Sequence, residues 1–254
     1  MELTVLGSGT AIPVHDRFPA GYLLAHDATT LLVDCGPGTL RRFAQAGASL
    51  HELDAVFFTH YHTDHCGDLA ALLFALRSPT YAGRKPLHLF GAPGLQRLLS
   101  LLAEAWPWTL PRGYELRVTE VAPGQTVFGD LGVRALPIRH TAQSLGYRFT
   151  ALTTGASVAF SGDADECDEL VELATGADLF VCDAAFPENL RVEGHLTPRL
   201  AGAHAERAKA RTLLLTHFYP ECEGVDVIGA AQQAFQGRVL AAADLQRLAI
   251  NAMG

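Results

Sequence analysis

His60-Tyr61-His62-Thr63-Asp64-His65 places three imidazoles and a carboxylate in six positions, directly behind the apolar run Ala55-Val56-Phe57-Phe58-Thr59. Imidazole and carboxylate together match the ligand preferences of zinc, and manganese accepts the same pair. In an extended segment, positions 60 and 62 project to one side. A turn into a helix beginning near Cys66 swings Asp64 and His65 to a neighbouring position, so one hexapeptide can serve two metal ions. The run before it is short, rich in β-formers and closed by polar residues, which is the form of a buried sheet strand.

The same form recurs along the chain. Leu31-Leu32-Val33 runs into Asp34, and Val133-Arg134-Ala135-Leu136-Pro137-Ile138 into Arg139-His140. Val158-Ala159-Phe160 leads to Ser161-Gly162-Asp163, Leu179-Phe180-Val181-Cys182 to Asp183, and Leu213-Leu214-Leu215-Thr216 to His217. Six strand ends therefore deliver ionisable side chains. Helical patterns lie between them, over residues 37–46, 66–76, 94–106, 165–174, 198–210 and 225–236. Leu95, Leu98, Leu99 and Leu102 recur at helical spacing, which predicts one buried face. Residues 114–121 and the runs on either side of Gly132 predict antiparallel strands in the middle. Val56-Phe57-Phe58-Thr59-His60 and Leu213-Leu214-Leu215-Thr216-His217 echo each other, which suggests one domain over residues 1–254 built of two related halves meeting at about 120–130.

The 254 residues are 49% hydrophobic and 18% charged, enough to bury a core and to exclude disorder as the main state. A formal charge of −8 has the wrong sign for wrapping a polyanion. The longest apolar stretch, Leu69 to Leu76, falls far short of the roughly 20 residues that span a bilayer. The opening Met1-Glu2-Leu3-Thr4-Val5-Leu6-Gly7 reads as a strand rather than a leader, so a cytoplasmic location without membrane contact is expected. Five cysteines, odd in number and without a C-x-x-C pair, argue for buried free thiols over a disulfide framework or a thiolate metal cage.

Smaller motifs carry less. Gly7-Ser8-Gly9 follows a strand, but Ile12 replaces the third glycine of a dinucleotide fingerprint and Pro13 follows. Gly155-Ala156-Ser157-Val158-Ala159 lacks the last glycine of a nucleophile elbow and leads into a strand, so it is a turn. Cys66 reads as a small hydrophobe at a helix start. Trp106-Pro107-Trp108 is a stiff aromatic loop that suits core packing, a subunit contact or a wall over the site. His15, His26, His51, His88 and His204 receive no role from their spacing.

On these residues the sequence resembles the metallo-β-lactamase superfamily, whose α/β fold is an αββα sandwich of two mixed sheets between outer helices. The resemblance covers nearly the whole chain. It implies that His60, His62 and His140 hold one divalent ion and Asp64, His65 and His217 a second, with Asp163 bridging them. Within the superfamily, Leu6-Gly7-Ser8-Gly9-Thr10-Ala11-Ile12-Pro13, Val33-Asp34-Cys35-Gly36-Pro37-Gly38, Glu193-Gly194-His195-Leu196-Thr197 and Thr216-His217-Phe218-Tyr219-Pro220 are similar to landmarks of ribonuclease Z and its shorter relatives. The same likeness brings Arg17-Phe18-Pro19 to the site. Ribonuclease Z has His-Glu-Ala-Thr where this chain reads Cys182-Asp183-Ala184-Ala185, and His-Ser-Thr where it reads His195-Leu196-Thr197. The acid and the histidine are kept. One departure is larger: the tRNA-gripping arm of ribonuclease Z lies between the third metal histidine and the bridging aspartate, whereas His140 and Asp163 are 23 positions apart with Arg148 the single charged side chain between them. The continuation after the metal motif is altered too, to Cys66-Gly67-Asp68-Leu69-Ala70.

The resemblance, the short interval and the charge together imply a phosphodiesterase acting on a small diester, a cyclic nucleotide or cyclic phosphate. Two divalent ions, zinc foremost and manganese next, would bridge the attacking hydroxide. Asp64 would ligate and orient that hydroxide. His195 would stabilise the transition state or protonate the leaving oxygen, with Asp183 orienting its imidazole. The other readings are ribonuclease Z activity without the arm, hydrolysis of a thioester, lactone or sulfate ester, and a metal-binding scaffold without turnover. A complete ligand set disfavours the last. The expected partner is a small phosphodiester rather than tRNA, and family behaviour with the apolar Leu95 to Trp108 region implies a homodimer.

Overall fold

A strand that is apolar on both faces has to be covered on both, and the central strands of this chain are of that kind. Along one such strand Leu31 and Val33 enter one apolar cluster while Leu32 and Cys35 enter another; Ala55 and Phe57 divide from Val56 and Phe58 in the same way. The computed structural model, which describes residues 1–252, meets that demand with two seven-stranded mixed sheets face to face between outer helices, an αββα sandwich.

The first sheet contains β1 (Glu2–Gly7), β2 (Gly21–His26), β3 (Thr29–Cys35), β4 (Ala55–Phe57), β5 (Leu87–Gly91) and β6 (Leu116–Glu120). The second contains β7 (Gly124–Phe128), β8 (Leu131–Pro137), β9 (Leu145–Ala151), β10 (Ser157–Phe160), β11 (Leu179–Asp183), β12 (Thr212–Thr216) and β13 (Arg238–Ala241). Strand β14 (Arg247–Ala249) returns to the first sheet and pairs with β1. Helices α1 (Thr39–Gln45), α2 (Thr63–Cys66), α3 (Leu69–Ala75) and α4 (Leu95–Ala105) lie with the first sheet; α5 (Asp168–Ala174), α6 (Pro198–Ala208) and α7 (Val227–Gln232) lie with the second. Between the sheets, Phe57 stacks on Phe90 at 4.4 Å and meets Phe149 edge-on at 5.1 Å, so the residue three before His60 joins both layers.

Strands β3 to β6 run parallel, as do β10 to β13. Parallel strands present their carboxyl ends along one edge, where open α/β sheets bind ligands. His60, Asp163, Asp183 and His217 all lie at such ends.

The sequence expectations need three corrections. Residues 114–121 do not form an antiparallel pair: β6 lies parallel to β5, because α4 carries the chain back over the sheet before the next strand begins. The runs around Gly132 do pair antiparallel, as β7 and β8, but the hairpin turns at Gly129, whose φ is 54°, and Asp130, with Gly132 inside β8. The helix expected over 66–76 is divided at Gly67 and Asp68, and the Asp68 carboxylate accepts hydrogen bonds from the backbone N–H groups of Gly38 and Leu40 at the start of α1. Of the four leucines on α4 only Leu95 is fully buried. The half-exposed Trp106 and Trp108 belong to a short turn that contacts α3 and α4. All five cysteines are free, and no described helix is long and apolar enough to cross a membrane.

Candidate metal centre

Past β4 the chain continues through Phe58 and Thr59 to His60, then turns into α2 with His62 at its N-cap. The turn after β3 packs so closely here that a Cβ on Gly36 would lie 2.0 Å from the Asp64 carbonyl oxygen; only glycine permits the approach. Asp34 and His217 hold left-handed backbone, φ 60° and 62°, a conformation costing about 1–3 kcal/mol that persists where surrounding contacts enforce it.

Two groups of ligand atoms result. His60, His62, His140 and Asp163 have donor atoms all within 4.8 Å of one another, and Asp64, His65 and His217 form a second such group. His62 Nδ1 lies 3.3 Å from His140 Nε2, His65 Nε2 lies 3.3 Å from His217 Nε2, and His217 Nε2 lies 3.4 Å from Asp64 Oδ2. A tetrahedral ion with bonds of about 2.0–2.1 Å requires ligand separations of about 3.3 Å. Asp163 stands between the groups. Its Oδ2 is 3.7 Å from both His60 Nε2 and His140 Nε2, and its Oδ1 is 3.0 Å from His65 Nε2 and 3.3 Å from His217 Nε2.

The donor chemistry fits a pair of divalent cations. His60 Nε2, which faces Asp163, is buried without a hydrogen-bond partner among the described residues, and such a group costs about 1–3 kcal/mol when left unpaired. Burial, helped by His65, pushes the His60 imidazole down to about 2, so it is neutral and free to ligate. Burial would also lower His65, but the Asp163 and Asp34 carboxylates outweigh it and hold His65 well above the usual histidine value. Burial works against ionising Asp64 and Asp163, yet the histidines prevail: the His217 hydrogen bond takes Asp64 down to about 2, and His217 and His65 hold Asp163 well below the carboxylate range.

Outer partners orient these rings. His65 Nδ1 donates to Asp34 Oδ2 at 2.8 Å, and the same carboxylate accepts from the Thr59 N–H and hydroxyl, both at 2.8 Å. This directs His65 Nε2 at Asp163. His140 Nδ1 donates to the Gly194 carbonyl at 2.8 Å, while the Gly194 N–H donates to Asp165 at 3.0 Å. Asp165 also accepts from Arg191 and the Glu166 N–H. The Ala11 N–H donates to Asp64 Oδ2 at 3.1 Å. His195 Nδ1 donates to Asp183 at 2.9 Å, and its ring stacks beside His217 with centroids 5.6 Å apart. Burial lowers the His195 imidazole, but the Asp183 hydrogen bond and charge prevail and raise it to about 9.

The structure thus brings His60, His62, Asp64, His65, His140, Asp163 and His217 to one place, with His195 and Asp183 beside them. His195 also shares with Asp163 and His217 a group of donor atoms within 4.8 Å of one another. The sequence reading gave no role to Asp34, Thr59, Asp165 or Tyr219. An aspartate inside the apolar β3 run was a usable signal, because a buried charge demands partners. Asp165 had none beyond lying two residues past Asp163. Arg17 reaches the neighbourhood indirectly, its guanidinium 4.6 Å from the centroid of the Phe218 ring.

A family profile described as Beta-lactamase superfamily domain matches residues 29–218. Over 252 residues the chain is 35% identical to uncharacterized protein ML1173 of Mycobacterium leprae, covering 94% of this chain and 85% of that one. It is 30% identical over 284 residues to ribonuclease Z of Mycobacterium bovis, covering 99% of each. Among solved structures, the metallo-beta-lactamase fold protein YhfI of Bacillus subtilis superposes with a TM-score of 0.82 at 24% identity, over 97% of this chain and 98% of that one.

Proposed function

The chain belongs to the beta-lactamase superfamily, and on that premise we propose that it is a dinuclear metal-dependent phosphodiesterase acting on a small diester, a cyclic nucleotide or cyclic phosphate. The observation that carries the substrate class is the brevity of the segment between His140 and Asp163. It contains β9, β10 and two turns, and its one charged side chain, Arg148, donates to the carbonyls of Leu173 and Thr175 and to the Ser157 hydroxyl. No cation there is left to grip a polynucleotide.

His60, His62 and His140 would hold one ion, Asp64, His65 and His217 the other, and Asp163 both. Bound zinc or manganese supplies Lewis-acid charge to a phosphoryl oxygen and brings the pKa of a water toward about 7. Asp64, steadied by the Ala11 N–H, orients the attacking water. His195, protonated at neutral pH, presents Nε2 to the leaving oxygen while Nδ1 stays on Asp183.

The test is hydrolysis of bis(p-nitrophenyl) phosphate by protein stripped with chelator and resupplied with zinc or manganese. Restored turnover is expected; none with both metals bound would move the reading to thioester, lactone or sulfate ester substrates. The ribonuclease Z relative supports a second reading, tRNA 3′ endonuclease, which cleavage of a 3′-extended precursor tRNA would establish. The proposal includes a cytoplasmic location and a homodimer, for which exposed Leu101, Trp106, Trp108 and Leu110 offer apolar surface, and sedimentation equilibrium reads the latter.

A further inference from the structure

A cavity of about 680 Å³ lies at the carboxyl ends of β12 and β13, beginning one residue beyond His217. That size is ordinary for a small-molecule site, at about 300–1,000 Å³. Phe218 and Tyr219 form one wall, and the loop between β1 and β2, through Asp16 and Arg17, forms another. Tyr219 belongs to both the cavity and the metal centre, since its ring centroid is 5.8 Å from those of His195 and His217. A substrate spanning the two places would therefore need only to pass one aromatic ring.

The cavity's charges set which end of a nucleotide belongs where. Arg17 Nη1 is committed to the Ser8 hydroxyl and the Ala242 carbonyl, both at 2.6 Å, with the guanidinium over Phe218. Glu223 and Asp16 also line the walls, with the Asp16 carboxylate against the His15 ring. The Glu223 carboxylate repels a phosphate and accepts a hydrogen bond from an amino group. The phosphodiester is thus steered to the cations and an amino-bearing planar ring to the cavity.

We infer that this cavity is the nucleobase subsite, taking a base with an exocyclic amino group while Tyr219 packs beside the ribose. The inference rests on the cyclic-nucleotide reading of the metal centre.

Steady-state kinetics of the metal-loaded protein test it, with 3′,5′-cyclic AMP, the base-free cyclic ribose 3′,5′-phosphate, and methyl p-nitrophenyl phosphate as substrates. Removing the base is expected to raise KM about tenfold or more, with the smaller part of the effect on kcat. Val225→Trp and Ala243→Trp, two exposed cavity-lining positions on different segments, are expected to lower the kcat/KM ratio of cyclic AMP to methyl p-nitrophenyl phosphate about tenfold. Equal KM with and without the base, or an unchanged ratio in both variants, would overturn the subsite. Wild-type turnover of methyl p-nitrophenyl phosphate with no turnover of either cyclic compound would overturn the cyclic-nucleotide reading instead. The base-free comparison needs no variant, so a misfolded substitution cannot mask the answer.

Discussion

Nδ1 of His195 lies 2.9 Å from Oδ2 of Asp183, a carboxylate with no solvent exposure. The other oxygen, Oδ1, lies 3.8 Å from Nδ1 of His217, so one buried acid faces both a candidate proton donor and a candidate metal ligand. Its position is set from the backbone: the Ala164 N–H donates to Oδ2, and the Asp183 N–H donates to the Ser161 hydroxyl.

Asp183 raises the His195 imidazole to about 9, so the protonated form persists through neutral pH and is lost as pH rises through that value. If that proton goes to the leaving oxygen, kcat/KM falls on the alkaline side. Asp183→Asn removes the charge, and the alkaline limb should move down toward the ordinary histidine value of about 6.5. The pH profiles of the two proteins decide; an unmoved limb excludes His195 as the titrating group.

His195→Ala should lower kcat by about 10²–10⁴-fold while both ions stay bound, because general acid catalysis is lost and the seven other donors remain. Metal analysis beside the kinetics separates this from a ligand role. A protein that turns over normally without the imidazole would remove it from the mechanism.

Asp163→Ala takes away the one group whose two oxygens face the two donor sets. Two cations would then lack their shared anion. The expected outcome is loss of bound metal, measured as moles per mole of protein after gel filtration; retention of two ions would refute the bridging assignment.

Asp34→Asn keeps the shape of the side chain while removing the charge that holds His65. Loss of such an outer partner weakens metal binding about 10- to 100-fold. Competition against a fluorescent chelator measures it, and unchanged affinity would mean that Thr59 alone suffices to orient the ring.

Phe57→Ala should destabilise the fold by about 3–5 kcal/mol, the usual range for deleting a fully buried phenyl ring. Phe57 is 1% exposed and touches rings from both sheets, so the cavity cannot collapse without moving a sheet. Urea denaturation with metals removed isolates this effect from that of the centre.

The strand ends that deliver His and Asp were legible in the chain itself, and the αββα architecture came from the family resemblance that those motifs carry. Apolar runs ending in His or Asp report local periodicity and local chemistry, and both survive without tertiary information, as the descent of Val56-Phe57-Phe58-Thr59 into His60 shows. The direction of β6 was not legible, because a strand's own residues do not say whether the connection before it is a hairpin or a helical crossover.

Pairing across the fold was decided only by tertiary structure. His65 and His217 are 152 positions apart and meet at 3.3 Å; Asp34 reaches His65 across 31 positions, and Asp165 reaches Gly194 across 29. The cavity beside Tyr219 draws its walls from the first twenty residues and from the last forty. Side-chain periodicity is a property of neighbours along one strand or helix, whereas these contacts depend on how two sheets stack and where their parallel strands end. The sequence therefore determined which histidines and aspartates stand at the strand ends, and the stacked sheets decided which of them face one another.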